Sequence, residues 1–287
     1  MKKTFCAKMI PYLFIAPTVI LLAVFSYYAI GNAVFTSFTD KSSNFIGIRN
    51  YVDAFHDDMF LTSFKNQVVI TVAAVFFSVF FPLLASELLF FIKHKKISGF
   101  LRTAFVIPML VPSIVVILIW KYLYNPNFGF NTILQKIGAD GWIHNWLNDE
   151  KTALFAIVLI GFPFVSGMYF LIFHSGINMI GEELYEAAIV DGATSWNVVK
   201  DIHLPNVRPY TKIVVTLSLI NSLSGFGLVA ATTNGGPGFA TMIPALQMYK
   251  VAFGDGNFGY ASALGVVLFL VIILLTMISR KLLKDGD

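Results

Sequence analysis

Long apolar runs separated by short polar segments make up most of this chain. A helix that crosses a bilayer needs about 20 mostly apolar residues, and the sequence contains six runs of about that length. The pattern therefore predicts an all-α membrane protein with a single transmembrane domain over residues 1–287. The six predicted spans are residues 12–35, 68–92, 104–123, 153–173, 213–232 and 260–278.

Composition supports this interpretation. The chain is 57% hydrophobic and only 13% charged, whereas a soluble domain is about 45–50% apolar and about 25% charged. The single cysteine, Cys6, excludes an internal disulfide. The first apolar run follows three lysines, but it is longer than the apolar core of a signal peptide, so we expect an uncleaved span.

The basic residues are distributed unevenly between the two sides that six spans define. Thirteen of the 20 lysines and arginines fall on one side, and the richer side is normally cytoplasmic. We therefore expect a multi-pass protein of the cell membrane with both termini in the cytoplasm. The net charge of +4 is then a signal of topology, and no nucleic-acid partner is expected. The 13 residues are Lys2, Lys3, Lys8, Lys93, Lys95, Lys96, Arg102, Lys200, Arg208, Lys212, Arg280, Lys281 and Lys284.

The span interiors contain almost no ionisable side chains, which are usually functional where they occur. Glu87 is expected to reach the interface near the basic cluster Lys93–Lys96. No catalytic motif, phosphate-binding loop or metal-ligand spacing is present. We expect no catalytic residue, no metal site and no bound cofactor, so the energy for transport would come from a partner. An ion-coupled secondary transporter or a channel for a neutral solute stays open as an alternative, as does an intramembrane enzyme.

The fifth span carries neutral polar residues. Ser218, Ser222 and Gly225 share one helical face, with Asn221 beside them. Such a face indicates either close helix packing or the lining of a path for a neutral, hydroxyl-rich solute, with Phe226 as a stacking surface. The substrate-path candidates are Ser218, Asn221, Ser222, Ser224 and Phe226. Interruptions of other spans are expected at Pro82, Pro108, Pro112 and Pro163.

A polar loop over residues 175–210, called the elbow below, lies between the fourth and fifth spans. A first helix is predicted up to Val190 and should stop at Gly192, where the reversal of the chain favours a positive φ. A second short helix, 196–202, would be capped by Thr194 or Ser195 and ended by Pro205. The elbow is net acidic, which suits docking on a protein better than resting on anionic lipid.

The elbow also contains a specific motif: Glu-Ala-Ala, three residues, Gly, nine residues, then Ile-x-Leu-Pro. This motif resembles the EAA signature of permease subunits of binding-protein-dependent ABC importers, and the chain is most similar to their carbohydrate (maltose-type) branch with its MetI-like fold. "FIGIRNY" (45–51), "RTAFVIPMLVP" (102–112), "TNGGPGFAT" (233–241) and "FGYASAL" (258–264) extend the resemblance. Gly181 stands where the family often has Pro, and "GFPF" (161–164) lacks a Trp often seen there. By this resemblance the ATPase-coupling residues are Glu186, Ala187, Ala188, Asp191, Gly192, Ile202, Leu204 and Pro205.

The resemblance implies a set of partners and a substrate class. A second, similar permease subunit would pair with this chain in a prokaryotic membrane, and two ABC ATPase subunits would dock at the elbow. ATP and Mg would bind those ATPases and not this chain. An extracytoplasmic solute-binding protein would deliver a sugar, which the family suggests is an oligosaccharide.

Overall fold

The computed structural model describes residues 2–282, in which the chain is helical apart from turns, loops and one isolated β-bridge between Thr39 and Phe45. The prediction of an all-α protein is confirmed for this range. The basic residue Lys284 and the two chain ends lie outside the described residues, as do the side chains of residues 2–10.

Sixteen helices follow one another along the described range. Helices α1 to α8 are Lys2–Leu22, Tyr28–Thr36, Arg49–His56, Asp58–Phe90, Lys95–Val106, Ser113–Leu123, Gly129–Lys136 and Ala153–Leu159. Helices α9 to α16 are Gly167–Asn178, Glu182–Val190, Ser195–Asn197, Leu204–Asn206, Arg208–Ser224, Gly227–Thr232, Pro244–Phe253 and Phe258–Leu282. Short 3₁₀ segments occur at Ile107–Leu110 and Asp140–Trp142, and π-helical segments at Ala23–Tyr27 and Val198–His203.

Three continuous helical stretches in the described range are long and apolar enough to cross a membrane. They are Pro11–Thr36, Asp58–Phe90 and Phe258–Lys281, with 26, 33 and 24 residues. At about 1.5 Å per residue, each is longer than the roughly 30 Å hydrocarbon core of a bilayer. They correspond to the first, second and sixth predicted spans. The expected interruption at Pro82 is wrong, because α4 continues through it; a proline removes only one bond of the helical ladder.

The third predicted span is sharply bent. Lys95–Leu110 and Ser113–Leu123 meet at an angle of 92°. The bend lies at Val111, which is extended with ψ 126°. A residue before proline is pushed out of the helical region by the proline ring, so Pro112 accounts for the break.

The fourth and fifth predicted spans are also broken. The interruption expected at Pro163 in the fourth span is confirmed, whereas the break in the fifth span was not predicted. Between α8 and α9 the chain leaves the helix at Ile160, with ψ 127°, and Gly161 has φ 97°. Between α13 and α14, Gly225 is extended, with ψ 131°. The positive φ of Gly161 is a conformation that glycine adopts at low cost. Three of the six predicted spans are thus continuous helices in the described range, and the count of six spans stays a prediction.

The chain divides into two compact units. The first runs up to Asp58 and includes Gln247–Phe269; the second comprises Met59–Leu246 and the chain from Leu270 onward. In the first unit, the buried amide of Asn50 donates to the carbonyls of Ser37 and Thr39 at 2.9 and 2.8 Å. Hydrogen bonds from Asn44 hold the pKa of the exposed Asp40 carboxyl below its usual value. The loop after α2 is thus fixed by side-chain contacts.

One hydrophobic core cluster of the second unit lies where α9 and α13 pack together. Phe173 and Ile177 of α9 are fully buried against Val214 of α13. Gly176 lets the helices approach closely, since a Cβ there would lie 2.6 Å from a ring atom of Tyr210. Val79, Leu83 and Phe90 of α4 pack on the same cluster. This core supports the elbow, because the elbow connects α9 to α13.

Candidate functional site: the elbow and the polar face of α13

Gly192 ends the first helix of the elbow. It has φ +84°, which confirms the expected left-handed conformation. Its N–H donates to the carbonyl of Ile189 at 3.0 Å, and the N–H of Ala193 donates to that of Ala188 at 2.9 Å. These paired bonds form the Schellman motif, which satisfies the last carbonyls of a helix. The turn after α10 is therefore defined by its own hydrogen bonds.

Thr194 begins the second helix of the elbow and is its N-cap. Its hydroxyl oxygen accepts from the N–H of Asn197 at 3.3 Å, and the side-chain oxygen of Asn197 accepts from the N–H of Thr194 at 3.2 Å. This reciprocal pattern is a capping box. Of the two predicted caps, the structure selects Thr194. Gly192 and Thr194 together hold the two helices at a fixed turn.

The second helix of the elbow is longer than predicted. The α11 residues, the π-helical segment Val198–His203 and α12 follow without a gap, so the helix runs through Pro205 to Asn206. The prediction that Pro205 ends the helix is therefore wrong. The N–H of Leu204 bonds to Val199, five residues back. This wider π-helical turn precedes the proline, whose ring would otherwise clash with the carbonyl four residues earlier.

One side of the elbow is open. Val190 is 87% exposed and Trp196 is 69% exposed, although both are apolar. Most of the signature residues also lie on the accessible surface. Glu186, Ala187, Asp191, Gly192, Leu204 and Pro205 are exposed, and Ala188 and Ile202 are half-buried. Val190 and Trp196 thus add apolar surface to a segment that is accessible to a partner.

The opposite side of the elbow is buried. Val198, His203 and Val207 are almost fully inaccessible. Val207 packs with Phe173 and Val214, so it joins the core formed by α9 and α13. The elbow thus rests on the helical core by one side and presents the other to its surroundings.

Glu87 of α4 and His203 of the elbow form a contact that sequence reasoning missed. Nδ1 of His203 lies 2.7 Å from Oε2 of Glu87, and the two side chains are only 1% and 8% exposed. Glu87 was expected to reach the membrane interface near Lys93–Lys96, and its carboxylate is buried against the elbow. The residues are 116 positions apart, so no local pattern pairs them.

Two of the polar residues of α13 are bonded to α4. The buried hydroxyl of Ser218 donates to Ser78 at 3.1 Å. Ser222 and Thr71 share a hydrogen bond of 2.9 Å, and the amide of Gln67 donates to the carbonyl of Ser222 at 3.0 Å. These contacts join α4 to α13 through neutral polar groups, as in packed membrane helices.

The other three substrate-path candidates have different surroundings. The side chain of Asn221 is exposed, and its amide nitrogen lies 3.4 Å from the hydroxyl of Tyr169. Ser224 is also exposed and donates to the carbonyl of Ile220 at 2.6 Å. Phe226 is half-buried and packs on the cluster around Ile243. The amide of Asn221 thus has spare capacity to bind a solute.

The break between α8 and α9 leaves a cavity beside α4. Its volume is about 310 Å³, and its lining includes Ala74 and Phe77 of α4, Ile157, Gly161 and Leu228. Phe77 stacks on Phe164, with ring centroids 4.0 Å apart. Within residues 2–282, no cluster of three or more His, Cys, Asp and Glu side chains could hold a metal ion.

Long apolar helices, broken helices beside them and a capped polar elbow define an integral membrane protein of the transporter class. The chain belongs to the family of binding-protein-dependent transport system inner membrane components, whose sequence pattern matches residues 78–285. The predicted family is thereby confirmed, and the chain is a permease subunit of an ABC importer system.

Individual relatives cover nearly the whole chain. It is 33% identical over 285 residues to the probable ABC transporter permease protein YurN of Bacillus subtilis (strain 168), with 97% of each protein covered. It is 31% identical to the arabinooligosaccharides transport system permease protein AraP of the same organism, covering 96% of this chain and 88% of that protein. A chain in the crystal structure of a bacterial alginate ABC transporter, in complex with an alginate pentasaccharide-bound periplasmic protein, superposes with a TM-score of 0.88. That match covers 100% of this chain and 99% of the other at 20% identity, and it confirms the predicted fold class.

Proposed function

We propose that this chain is the permease that moves an oligosaccharide into the cell, driven by ATP hydrolysis on separate ATPase subunits that dock at the elbow. The observation that carries the proposal is the elbow itself. It has a defined turn at Gly192, a capped second helix at Thr194 and an exposed apolar surface that includes Val190 and Trp196. A rigid element with one anchored side and one open side is suited to transmit movement from a partner.

The proposed orientation places the elbow and both termini in the cytoplasm. The excess of lysine and arginine on that side supports it. In this orientation the elbow meets cytoplasmic ATPases, while loops such as 233–241 face an extracytoplasmic solute-binding protein. A second, similar permease completes the path, and ATP and Mg²⁺ bind the two ATPase subunits. The chain itself performs no chemical reaction in this scheme.

The proposed solute path runs along the exposed edge of α13. Asn221 and Ser224 offer neutral donors and acceptors, which match the hydroxyl groups of a sugar. Phe226 can add an apolar surface, while Ser218 and Ser222 hold α13 to α4 beside the path. The oligosaccharide class is supported by the similarity to the arabinooligosaccharide permease.

Gly192→Val tests the role of the elbow. A side chain at φ +84° is strained by about 1–2 kcal/mol, although space around this glycine is open. We expect the second helix to be displaced and ATPase binding, or its stimulation by loaded binding protein, to be lost. Gly181→Val is the matched control, since Gly181 precedes α10 in the same elbow, has φ −58° and is equally unobstructed. The measurement is co-purification and ATP hydrolysis of the reconstituted complex.

A second pair of variants tests the open surface without backbone strain. Trp196→Ser removes an exposed apolar side chain and should weaken ATPase binding several-fold. Trp142→Ser removes a tryptophan of the same 69% exposure outside the elbow, and ATPase binding should be unchanged. Stoichiometric ATPase and full sugar-stimulated hydrolysis in both Gly192→Val and Trp196→Ser would show that the elbow does not couple this permease to an ATPase.

A further inference from the structure

Glu87 and His203 connect the elbow to α4 by a single directed contact. His203 stands in the elbow between Ile202 and Leu204, both of the signature. With the Glu87 carboxylate as acceptor, the imidazole Nδ1–H donates to Oε2 across 2.7 Å. Leu204 and Pro205 are exposed whereas His203 is buried. Exposed signature residues and the buried contact of the elbow are thus adjacent in sequence.

Aromatic side chains surround the contact between Glu87 and His203. Phe90 meets the His203 ring edge to face at a centroid distance of 4.6 Å, and Phe91 lies at 6.2 Å. Tyr185 of α10 packs against Phe90 at 5.4 Å. The second carboxylate oxygen, Oε1, has no hydrogen-bond partner within the described part of the chain. If either Glu87 or His203 were removed, the other would be left as a buried polar group without its partner.

A buried hydrogen bond constrains position more strictly than an apolar contact does. Donor and acceptor must stay near 2.9 Å and close to a line, whereas the rings of Phe90 and Tyr185 can slide. Apolar residues of similar size would often hold two elements together equally well. What the polar pair adds is therefore a fixed register between the elbow and the end of α4.

α4 carries further polar anchors along its length. Gln67, Thr71 and Ser78 contact Ser222 and Ser218 of α13. Near the other end, the amide of Asn66 donates to the carbonyls of Phe239 and Met242 at 3.1 and 2.9 Å. Asn66 and Glu87 are 21 positions apart, which is about 30 Å along a helix and close to the thickness of the hydrocarbon core. α4 thus connects the elbow, which contacts Glu87, to the loop 233–242, which contacts Asn66.

We propose that Glu87 and His203 are a positioning pair that carries movement of the elbow into α4, and through α4 to α13 and the loop 233–242. The inference rests on the proposed function, since it needs an ATPase that moves the elbow. The pair touches neither solute nor ATPase. Loss of the pair should therefore leave ATPase binding intact. The loop 233–242 should no longer respond to ATP.

Four variants distinguish positioning from simple packing. Glu87→Leu and His203→Leu each leave one buried polar group and are expected to lower stability. The double variant Glu87→Leu/His203→Leu removes both groups, so stability should return and ATPase binding should equal that of the unmodified protein. Glu87→Gln keeps an acceptor oxygen for the imidazole and should behave like the unmodified protein.

The readout is made on the assembled complex, in a background where Cys6 is replaced by Ser. A cysteine is introduced in place of the exposed Phe239, and its rate of labelling by a thiol reagent reports on the loop 233–242. The hydrogen bond from Asn66 to the carbonyl of residue 239 is kept, because it involves only the backbone of that residue. In the otherwise unmodified complex, ATP with vanadate should change this rate several-fold. Hydrolysis stimulated by loaded binding protein is measured in parallel.

The proposal predicts that the double variant binds ATPase normally but loses most of the ATP-dependent change in labelling and most of the stimulation, while Glu87→Gln keeps both. A double variant that regains stability, the labelling change and stimulation together would show that the pair only packs the elbow, and would overturn the proposal. The unmodified chain is tested for ATPase binding before any variant is compared. If it binds no ATPase, that result counts against the proposed function and not against the positioning pair.

Discussion

At the scale of single residues, the polar positions of α13 divide into two groups that share one sequence pattern. Ser218 and Ser222 are bonded to side chains of α4, whereas Asn221 and Ser224 are exposed. Sequence spacing placed Ser218, Asn221 and Ser222 near one another, but it could not separate packing from solute contact. The distinction depends on Ser78 and Thr71, which are distant in sequence and close only in the fold.

Asn221→Leu is predicted to impair transport without affecting assembly. A hydrogen bond from the Asn221 amide to the solute contributes on the order of 1 kcal/mol net, so uptake of the sugar should fall several-fold while basal ATP hydrolysis is retained. The measurement is initial uptake per assembled complex.

Ser222→Ala serves as the comparison for Asn221→Leu. Since Ser222 is bonded to Thr71, its loss should lower the stability of the α4–α13 contact and leave uptake per complex nearly unchanged. Normal uptake by Asn221→Leu would mean that Asn221 also has a packing role.

Residue-level predictions succeeded where the cause is local. The positive φ of Gly192 follows from the ending of one helix and the start of another within a few residues. The burial of Glu87 was not predictable in this way. Its partner lies 116 positions away, and its proximity to Lys93–Lys96 in sequence gave no indication of a buried partner.

At the scale of elements, apolar length identified the long helices but not the breaks. The stretches Pro11–Thr36, Asp58–Phe90 and Phe258–Lys281 agree with three predicted spans. Hydropathy averages over many residues, so it cannot detect the extended backbone at Val111 or Gly225. Pro112 was a usable signal for the first break, yet Pro82 carries the same signal inside a continuous helix. Neighbouring helices decide which proline interrupts a span.

The α9–α13 contact gives a prediction at this scale. A Cβ at Gly176 would lie 2.6 Å from Cδ2 of Tyr210, so Gly176→Ala must displace a packed ring and should cost about 1–3 kcal/mol. We expect the apparent melting temperature of the purified protein in detergent to fall by roughly 3–10 °C.

Gly99→Ala is the matched control for this substitution. Gly99 lies within α5 and has no atom within 4 Å of its ideal Cβ position. Alanine favours a helix over glycine by up to about 1 kcal/mol, so this variant should be unchanged or slightly more stable. Equal destabilisation by Gly99→Ala and Gly176→Ala would argue against the close packing of α9 and α13.

At the scale of the whole molecule, the main prediction from the sequence is the orientation in the membrane. The location of 13 of the 20 basic residues predicts that the elbow and both termini lie in the cytoplasm. Net charge alone gives no orientation; the positions of the charges relative to the spans do.

Cysteine labelling in intact cells checks this orientation. Cysteines replacing Lys200 in the elbow and Lys136 in α7, each in a Cys6→Ser background, occupy exposed positions. An impermeant thiol reagent should label position 136 and spare position 200 until the membrane is opened. Labelling at 200 with protection at 136 would reverse the topology and remove the elbow from the side where ATPases are found.

The most direct test of the account is sugar uptake by proteoliposomes that contain this chain, its partner permease and the ATPases. A panel of oligosaccharides is supplied with the solute-binding protein on the outside, and ATP is enclosed on the side of the elbow. Uptake is predicted to require both ATP and the loaded binding protein, and to continue when an uncoupler collapses the proton gradient. Uptake that persists without ATP but stops with the uncoupler would contradict an ATP-driven permease and favour an ion-coupled transporter.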